Sequence, residues 1–238
     1  MQLFYSSDIT PGSLCTLDPE ESRHAVRVLR KREGDELHLT DGRGTLHRCL
    51  IVVADDRACL LESVGQDSSL SNSPFSIHLA IAPTKNPSRM EWLVEKAVEI
   101  GVGTITLLQC DHSERTFLKT ERLQKIALNA MKQSLRTMLP TIHETVGLRE
   151  WLRSGVQPRQ RLIAHCEEGE LRQPLVEAMK SGMETSILIG PEGDFSPEEI
   201  ALALEQGFTP VSLGPSRLRT ETAALYAVAA FNLINDRP

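Results

Sequence analysis

The fold of this chain is decided by the stretch Thr185-Ser186-Ile187-Leu188-Ile189-Gly190-Pro191-Glu192-Gly193-Asp194-Phe195-Ser196. Its first five residues are mostly apolar or β-branched, as in a buried strand, and Ser196-Pro197-Glu198-Glu199 has the residue types that begin a helix. A second such connection, Gly214 to Thr222, follows a strand predicted at Thr209–Leu213. Strand, Gly-Pro loop and helix in this order indicate an α/β layer with a mostly parallel sheet.

The same alternation of strands and helices extends back to Phe75. Further strands are predicted at 76–82, 104–108 and 161–165, and helices at 87–100, from Thr120 to before Pro140, and at 220–234. The last helix is apolar nearly all round from Ala223 to Phe231. A helix of this kind is either central to the core or part of a subunit interface.

The first seventy residues have a different pattern, with one helix among short strands. Asp18-Pro19-Glu20-Glu21 resembles a capping box, and Gly34 can end the helix that it starts. Strands predicted at 36–40, 45–53 and 58–64 then suggest a small β-barrel. The polar segment Gly65 to Pro74 has the composition of a linker. We therefore predict one domain over residues 1–72 and a second over 73–238.

Composition limits the classes of function. A net charge of -6 and a pI near 5.7 argue against a protein that coats nucleic acid nonspecifically. Two local basic patches are either solvated helix faces or nucleic-acid contacts. The first patch comprises Arg23, His24, Arg27, Arg30, Lys31 and Arg32, and the second Arg115, Lys119, Arg122, Lys125, Lys132 and Arg136.

No secretory signal and no apolar run near the ~18 residues of a membrane span are present, so a soluble, cytoplasmic protein is expected. The five cysteines and seven histidines are scattered, which favours reduced thiols and no metal site.

The chemistry is predicted to lie in the two Gly-Pro loops. The chain has no dinucleotide fingerprint, P-loop or nucleophile elbow. Both loops leave the carboxyl ends of predicted parallel strands, where ligands bind in open α/β sheets. Glycines there allow close approach of a ligand, and rigid backbone N–H and C=O groups can bind an adenine edge. The alternative is that both are ordinary turns.

At these residues the sequence resembles the SPOUT superfamily of S-adenosylmethionine methyltransferases, specifically the family that methylates N3 of a uridine in 16S ribosomal RNA. Ordered segments along the whole chain carry the resemblance: 1–5, 24–30, 34–35, 41–44, Lys85, 95–101, 113–115, 133–136 before Pro140, 189–193, and 213–223. Asp194 stands where the family more often has a second glycine, and Lys132 where it often has a glutamate.

The resemblance implies a PUA-like barrel that helps to hold RNA, followed by a methyltransferase domain with a deep trefoil knot. It also implies a homodimer, which favours an interface role for Ala223 to Phe231. The implied substrate is 16S rRNA, free or within the small ribosomal subunit. A ribose 2′-O-methyltransferase and a non-catalytic RNA-binding assembly protein are the competing functions.

The implied reaction removes the N3 proton of uridine and needs a group that stabilises the resulting anion, which suggests roles for individual residues. Arg219 is expected to hold the uridinate oxygen, and Glu221 to orient or accept the N3 proton, although Arg219 could bind phosphate and Glu221 could cap its helix. S-adenosylmethionine is expected to contact His165, Leu188, Ile189, Gly190, Pro191, Glu192, Gly193, Leu213, Gly214, Leu218, Arg219 and Thr220. RNA is expected to contact Arg23, Arg27, Arg30, Arg115 and Arg136.

Overall fold

The computed structural model describes residues 1–68, 75–155, 158–167 and 171–235. The chain divides into two compact units: Met1–Asn72 with Leu128–Leu139, and Ser73–Ala127 with Pro140–Pro238. Residues 69–74 of the predicted linker lie outside the described residues. The prediction that the linker begins at Gly65 was wrong, because the preceding strand continues to Asp67.

The first unit is built on a curled sheet of five strands. These are β1 (Leu3–Tyr5), β2 (Leu14–Thr16), β3 (Glu36–Thr40), β4 (Leu46–Val53) and β5 (Leu60–Asp67), in the order β1-β3-β4-β5-β2. Only the β1–β3 pair is parallel among these pairs. Two register shifts between β4 and β5 bend the sheet, as β-bulges do. Its inner face buries Leu39, Cys49 and Leu61, so the predicted barrel-like sheet is confirmed.

The helix of this unit is shorter than predicted. Asp18 caps α1 (Pro19–Arg23), which continues as a π-helical turn over His24–Val28. The chain then reverses at Arg30, whose φ is 55°, and Lys31 N donates to Ala25 O at 3.0 Å. That bond resembles the Schellman helix end, which usually places glycine at the left-handed position. The helix therefore ends before Gly34, and Glu21 contacts Lys132 instead of completing a capping box.

A later segment of the chain completes the first unit. Thr137 O accepts hydrogen bonds from Thr40 Oγ1 and from Gly44 N, each at 2.9 Å. Gly42 has a φ of 74°, and a side chain there would meet Tyr5 at 3.0 Å and Leu139 at 3.3 Å. Glycine is thus required at this turn by both its conformation and its neighbours.

The second unit is built on a parallel sheet of seven strands. They are β6 (Ile77–Ile81), β7 (Thr104–Gln109), β8 (Thr141–Gly147), β9 (Gln160–Ala164), β10 (Gln173–Pro174), β11 (Thr185–Ile189) and β12 (Thr209–Ser212). Their order is β10-β12-β9-β11-β6-β7-β8, and every described pair is parallel. This confirms the predicted α/β class.

Among the helices of the second unit, the longer ones begin and end largely where the sequence indicates, and two short ones, of six and four residues, were not predicted. They are α2 (Pro87–Ile100), α3 (Thr120–Gln133), α4 (Leu148–Arg153), α5 (Leu175–Ala178), α6 (Pro197–Glu205) and α7 (Thr220–Asn235); α3 passes into the segment grouped with the first unit. Asn86 caps α2, and Gly101 ends it with a φ of 117°. Ser196 and Glu199 form a complete capping box at α6.

The last helix, α7, is only partly covered within one chain. Ala224, Ala227, Val228 and Phe231 are buried. Tyr226 and Leu233 are 45% and 74% exposed, respectively. Packing in the core therefore explains the apolar residues on one side of α7, and it does not explain those on the exposed side.

Candidate active site

A cavity of about 420 Å³ lies at the carboxyl ends of β12, β9 and β11, which are neighbours in the sheet. Because parallel strands end at the same edge, the connections after these three strands meet there. They supply most of its lining, together with the first turn of α7. The lining residues are Arg89, Ala164, His165, Cys166, Arg172, Ile189, Gly190, Pro191, Glu192, Asp194, Val211, Ser212, Leu213, Gly214, Ser216, Arg217, Leu218, Arg219, Thr220 and Ala223.

The two Gly-Pro loops are joined at the base of the cavity. Thr220 Oγ1, buried at the start of α7, donates to Gly190 O at 3.2 Å. A side chain at Gly190 would come within 3.2 Å of the Phe195 ring, so the first loop needs glycine at this position. Gly190 and Pro191 on this tight path both line the cavity.

Asp194 joins the first loop to the chain leaving β9. Its φ is 64°, a left-handed conformation that aspartate tolerates better than most residues with a side chain. Its Oδ2 accepts from Cys166 N at 2.6 Å, and its Oδ1 accepts from Phe195 N at 2.8 Å. The departure from glycine therefore keeps the backbone conformation and adds a carboxylate that connects two walls of the cavity.

A polar network supports the first loop from behind. Arg149 donates to Asp111 Oδ1 and Oδ2 at 2.6 and 2.7 Å, and Ser196 Oγ donates to Asp111 Oδ2 at 2.7 Å. The hydrogen bonds from Arg149 and then Ser196 lower the pKa of Asp111 to about 2. Asp111 N in turn donates to Glu199 Oε1 at 2.9 Å. The network thus fixes the start of α6 after the loop.

Glu192 connects the cavity to a cluster of charged residues at its rim. Glu192 Oε1 accepts from Lys85 N at 3.0 Å, and Lys85 Nζ pairs with Glu114 at 2.7 Å. Hydrogen bonding to Glu114 raises the pKa of Lys85. Arg115 donates twice to Lys85 O, at 3.2 and 2.9 Å. Arg115, predicted to contact RNA, is therefore linked to the cavity loop through Lys85.

Arg89 and Glu221 form an ion pair beside the cavity. Arg89 lies in the first turn of α2, and its Nε is 3.6 Å from Glu221 Oε1. The Glu221 side chain is 9% exposed and that of Arg89 38%. Glu221 belongs to the first turn of α7, directly after Thr220.

The structure brings most of the predicted cofactor residues to the cavity. His165, Ile189, Gly190, Pro191, Glu192, Leu213, Gly214, Leu218, Arg219 and Thr220 line it. Leu188 instead packs in the core, Gly193 faces His112, and Glu221 lies behind Arg89. His165 is buried, and its carbonyl accepts from Arg172 Nη1 at 2.6 Å.

Several lining residues were absent from the predicted site, notably Arg89, Cys166 and Arg172. Ala164, Val211 and Ser212 end or nearly end their strands, so the rule about carboxyl ends could have found them. No comparable signal marked Arg89, because its role depends on how α2 packs beside α7.

The basic residues predicted to contact RNA lie in different settings. Arg23, Arg27 and Arg30 are exposed in the first unit, and Arg27 Nε pairs with Asp56 at 2.5 Å. Arg30 follows the helix end, so these three arginines do not lie on one continuous helix face. Arg136 follows α3, and Lys132, the second departure from the family pattern, pairs with Glu21.

Other sites receive no support from the described part of the chain. No group of three His, Cys, Asp or Glu side chains placed to hold a metal ion occurs in it. None of its helices is long and apolar enough to cross a membrane. All five cysteines are free thiols, and Cys166 is the exposed one.

Known proteins share both units of this chain. A family model described as an RNA methyltransferase domain matches residues 71–232, and one described as an RNA methyltransferase PUA domain matches residues 17–62. A crystal structure of a probable rRNA-methyltransferase from Porphyromonas gingivalis is 42% identical, with a TM-score of 0.88 and 99% of each chain covered.

Two further relatives have the same, more specific name. A ribosomal RNA small subunit methyltransferase E from Neisseria gonorrhoeae, bound to S-adenosyl methionine, is 30% identical, with a TM-score of 0.81 over 99% of this chain and 98% of that one. The Aquifex aeolicus protein of this name is 31% identical over 96% of this chain and 98% of its own.

Fold, cavity and matches together define an RNA methyltransferase with a PUA domain. More particularly, the chain belongs to the ribosomal RNA small subunit methyltransferase E family.

Proposed function

We propose that the chain transfers the methyl group of S-adenosylmethionine to N3 of a specific uridine in 16S ribosomal RNA. The observation that carries the proposal is the cavity formed by the two Gly-Pro loops at the carboxyl ends of adjacent parallel strands. The Neisseria gonorrhoeae relative, which covers almost the whole chain, is bound to S-adenosyl methionine.

The cavity suits a ligand with an adenine ring and a charged tail. Its volume is within the ~300–1,000 Å³ range of small-molecule sites. Ile189, Leu213 and Leu218 provide apolar walls, and Gly190 and Gly214 lie in the loops that flank them. Oε1 of Glu192 accepts a hydrogen bond from Lys85 N, and Oε2 of Glu192 would accept one from a ribose hydroxyl.

The residues predicted to contact the cofactor are therefore the ones that we propose bind it. His165, Pro191, Glu192, Arg219 and Thr220 would contact the cofactor alongside the glycines and apolar residues. Leu188 and Gly193 would act through the backbone path that they give the first loop. The cofactor supplies a methyl group on a positively charged sulfur, and the carbon of that methyl group is the electrophile of the reaction.

The chain's own residues must handle a proton and a developing negative charge. Uridine N3 loses its proton before or during attack, and the charge spreads to O2 and O4. We assign Arg219, which is exposed at the cavity, to hold one of these oxygens. The role predicted for Glu221 is to orient the N3 proton or accept it, although its described contact is with Arg89 and it does not line the cavity.

Both proposed domains would contribute to RNA binding. We assign residues 1–72 to the RNA-holding domain and 73–238 to the methyltransferase domain, with the trefoil knot as a prediction from the resemblance. Arg23, Arg27, Arg30, Arg115 and Arg136 would contact phosphates, which makes affinity fall with salt. The protein would act as a cytoplasmic homodimer on free 16S rRNA or on the small ribosomal subunit.

Nucleoside mass spectrometry of 16S rRNA tests the reaction. A deletion strain should lack N3-methyluridine, and the wild-type gene should restore it, whereas the Thr220→Val variant should restore less because the two loops lose their hydrogen bond. Loss of a ribose-methylated nucleoside would instead indicate a 2′-O-methyltransferase. Unchanged RNA together with no measurable cofactor binding would indicate a non-catalytic RNA-binding protein.

A further inference from the structure

Arg89 differs in origin from the rest of the cavity lining. The other lining residues follow β9, β11 or β12, end those strands, or begin α7, whereas Arg89 is contributed by α2. Arg89 therefore lies at a border of the cavity, beside the three connections that follow β9, β11 and β12. A group at such a border can contact the second substrate without belonging to the cofactor pocket proper.

The guanidinium of Arg89 retains unused donors. Its one ion pair or side-chain hydrogen bond in the described part of the chain is the 3.6 Å approach of Nε to Glu221. Arginine carries five N–H donors in a planar fork, so both terminal nitrogens remain for a ligand oxygen. With 38% of its side chain exposed, Arg89 is accessible from the cavity.

Glu221 has the opposite character, since it is buried and incompletely satisfied. The residue is 6% exposed, and its Oε2 has no hydrogen-bond partner among the described residues. A buried carboxylate is costly unless a counter-charge is close. Arg89 supplies that charge, and the helix start of α7 adds a favourable dipole. The pair therefore explains why a carboxylate is placed behind the cavity wall.

We propose that Arg89 donates to a carbonyl oxygen of the target uracil, and that Glu221 is a positioning residue that holds Arg89 in place. This inference rests on the proposed function. The N3–H bond breaks and its proton passes to solvent, while the electron pair left on N3 forms the bond to the methyl carbon. The electron pair of the broken methyl–sulfur bond stays on sulfur. Arg89 stabilises the negative charge that builds up on the uracil oxygen.

Geometry favours this role for Glu221 over that of proton acceptor. Its Oε1 faces Arg89, and protonation of the carboxylate would remove the counter-charge of the guanidinium. Substitution of Glu221 should therefore lower the rate by releasing Arg89 rather than by removing a base. The two side chains should behave as one unit in a double-mutant cycle.

The test uses the full-length protein with 16S rRNA or small subunits from the deletion strain. The rate of N3-methyluridine formation is measured in single-turnover reactions, and the affinity for the cofactor is measured by calorimetry. Arg89→Ala should slow methyl transfer by about 100-fold or more, with the cofactor Kd changed less than about 3-fold. Arg89→Lys should retain part of the rate, and added guanidinium ion should partly restore Arg89→Ala. Arg159→Ala is the control, because Arg159 is exposed just before β9, at the opposite edge of the sheet.

Glu221→Gln should slow the reaction while leaving the shape of the pH–rate profile unchanged. The Arg89→Ala/Glu221→Gln double variant should be no slower than the slower single variant. Loss of a pH-dependent limb in Glu221→Gln would overturn the positioning role and identify Glu221 as the base. Additive losses in the double variant would also overturn it.

Two results would overturn the assignment of Arg89. One is near wild-type turnover of Arg89→Ala. The other concerns cofactor binding: Arg89→Ala binds S-adenosylmethionine more weakly by the same factor as the loss in rate, yet binds 5′-methylthioadenosine as well as wild type does. Because 5′-methylthioadenosine lacks the carboxylate, that result would show that Arg89 binds the cofactor's carboxylate. Absence of N3-methyluridine with wild-type protein would refute the proposed function itself.

Discussion

Asp194 combines an unfavourable backbone conformation with two favourable hydrogen bonds. Its φ of 64° is costly for most residues with a side chain, whereas glycine adopts it freely. Its carboxylate accepts from Cys166 N and Phe195 N, and so joins the chain after β9 to the first Gly-Pro loop. Because Asp194 also lines the cavity, its substitution should affect both stability and cofactor binding.

The conformation and the hydrogen bonds of Asp194 can be separated by two substitutions. Asp194→Ala loses both hydrogen bonds of the carboxylate and still has a side chain in the left-handed conformation, so it should lower the free energy of unfolding by about 2–3 kcal/mol. Asp194→Gly loses the carboxylate but adopts the left-handed conformation without strain, so it should be more stable than Asp194→Ala by about 1 kcal/mol. Urea denaturation with and without S-adenosylmethionine measures both. An alanine variant as stable as the glycine variant would show that the backbone conformation relaxes.

At the scale of secondary-structure elements, His78 connects three strands and a helix of the second unit. His78, on β6, shares a hydrogen bond of 2.7 Å with Thr106 Oγ1 on β7. Its ring meets that of Trp151 on α4 edge-on at 5.5 Å and lies 6.3 Å from that of His143 on β8. Burial, with a smaller contribution from His143, lowers the pKa of His78 to about 4.

This shift predicts a loss of stability in mild acid. The unfolded chain takes up a proton at His78 below its ordinary pKa of 6.5, whereas the folded chain does so only near pH 4. Stability from neutral His78 is therefore lost as the pH falls through this window, by roughly 2 kcal/mol between pH 7 and pH 5. In urea denaturation at both pH values, His78→Gln should lose less stability than wild type. His38→Gln, in the five-stranded sheet, is the control, and equal losses in all three proteins would contradict the prediction.

Elements with a clear hydrophobic period could be predicted from the sequence, and short or edge elements could not. The period of α2 and its two end signals gave its correct bounds, as did the apolar run of β11. β8 was missed because this edge strand is largely exposed and its residues do not alternate cleanly. β10, α4 and α5 are too short for a period to register.

The same distinction holds for the site. Residues in the two Gly-Pro loops could be placed at one cavity because strand ends and loop composition are local properties of the sequence. The Arg89–Glu221 pair joins residues far apart in the chain, and no local pattern indicates that they meet. Arg30 shows a third limit, since a helix end that resembles a Schellman motif without glycine has no clear sequence signal.

At the scale of the whole molecule, an acidic protein must bind an anionic substrate. The net charge of -6 makes binding depend on local clusters, and several of their cations are already paired, such as Arg27 with Asp56 and Lys132 with Glu21. Limited affinity of each unit for RNA would favour combining two units, or two copies of the chain, on one substrate. The exposed apolar face of α7 is the surface that a second copy would cover.

The proposed homodimer therefore makes a prediction about α7. Tyr226 and Leu233 are 45% and 74% exposed on a helix whose other side is buried. Sedimentation equilibrium should give twice the chain mass of 26.4 kDa for wild type. Tyr226→Glu/Leu233→Glu should raise the dimer Kd by about 100-fold or more, since burying two unpaired carboxylates costs several kcal/mol. Val53→Glu, at a residue of the first unit that is 44% exposed, should leave the mass unchanged. A dimer that persists in the α7 variant would place the interface elsewhere.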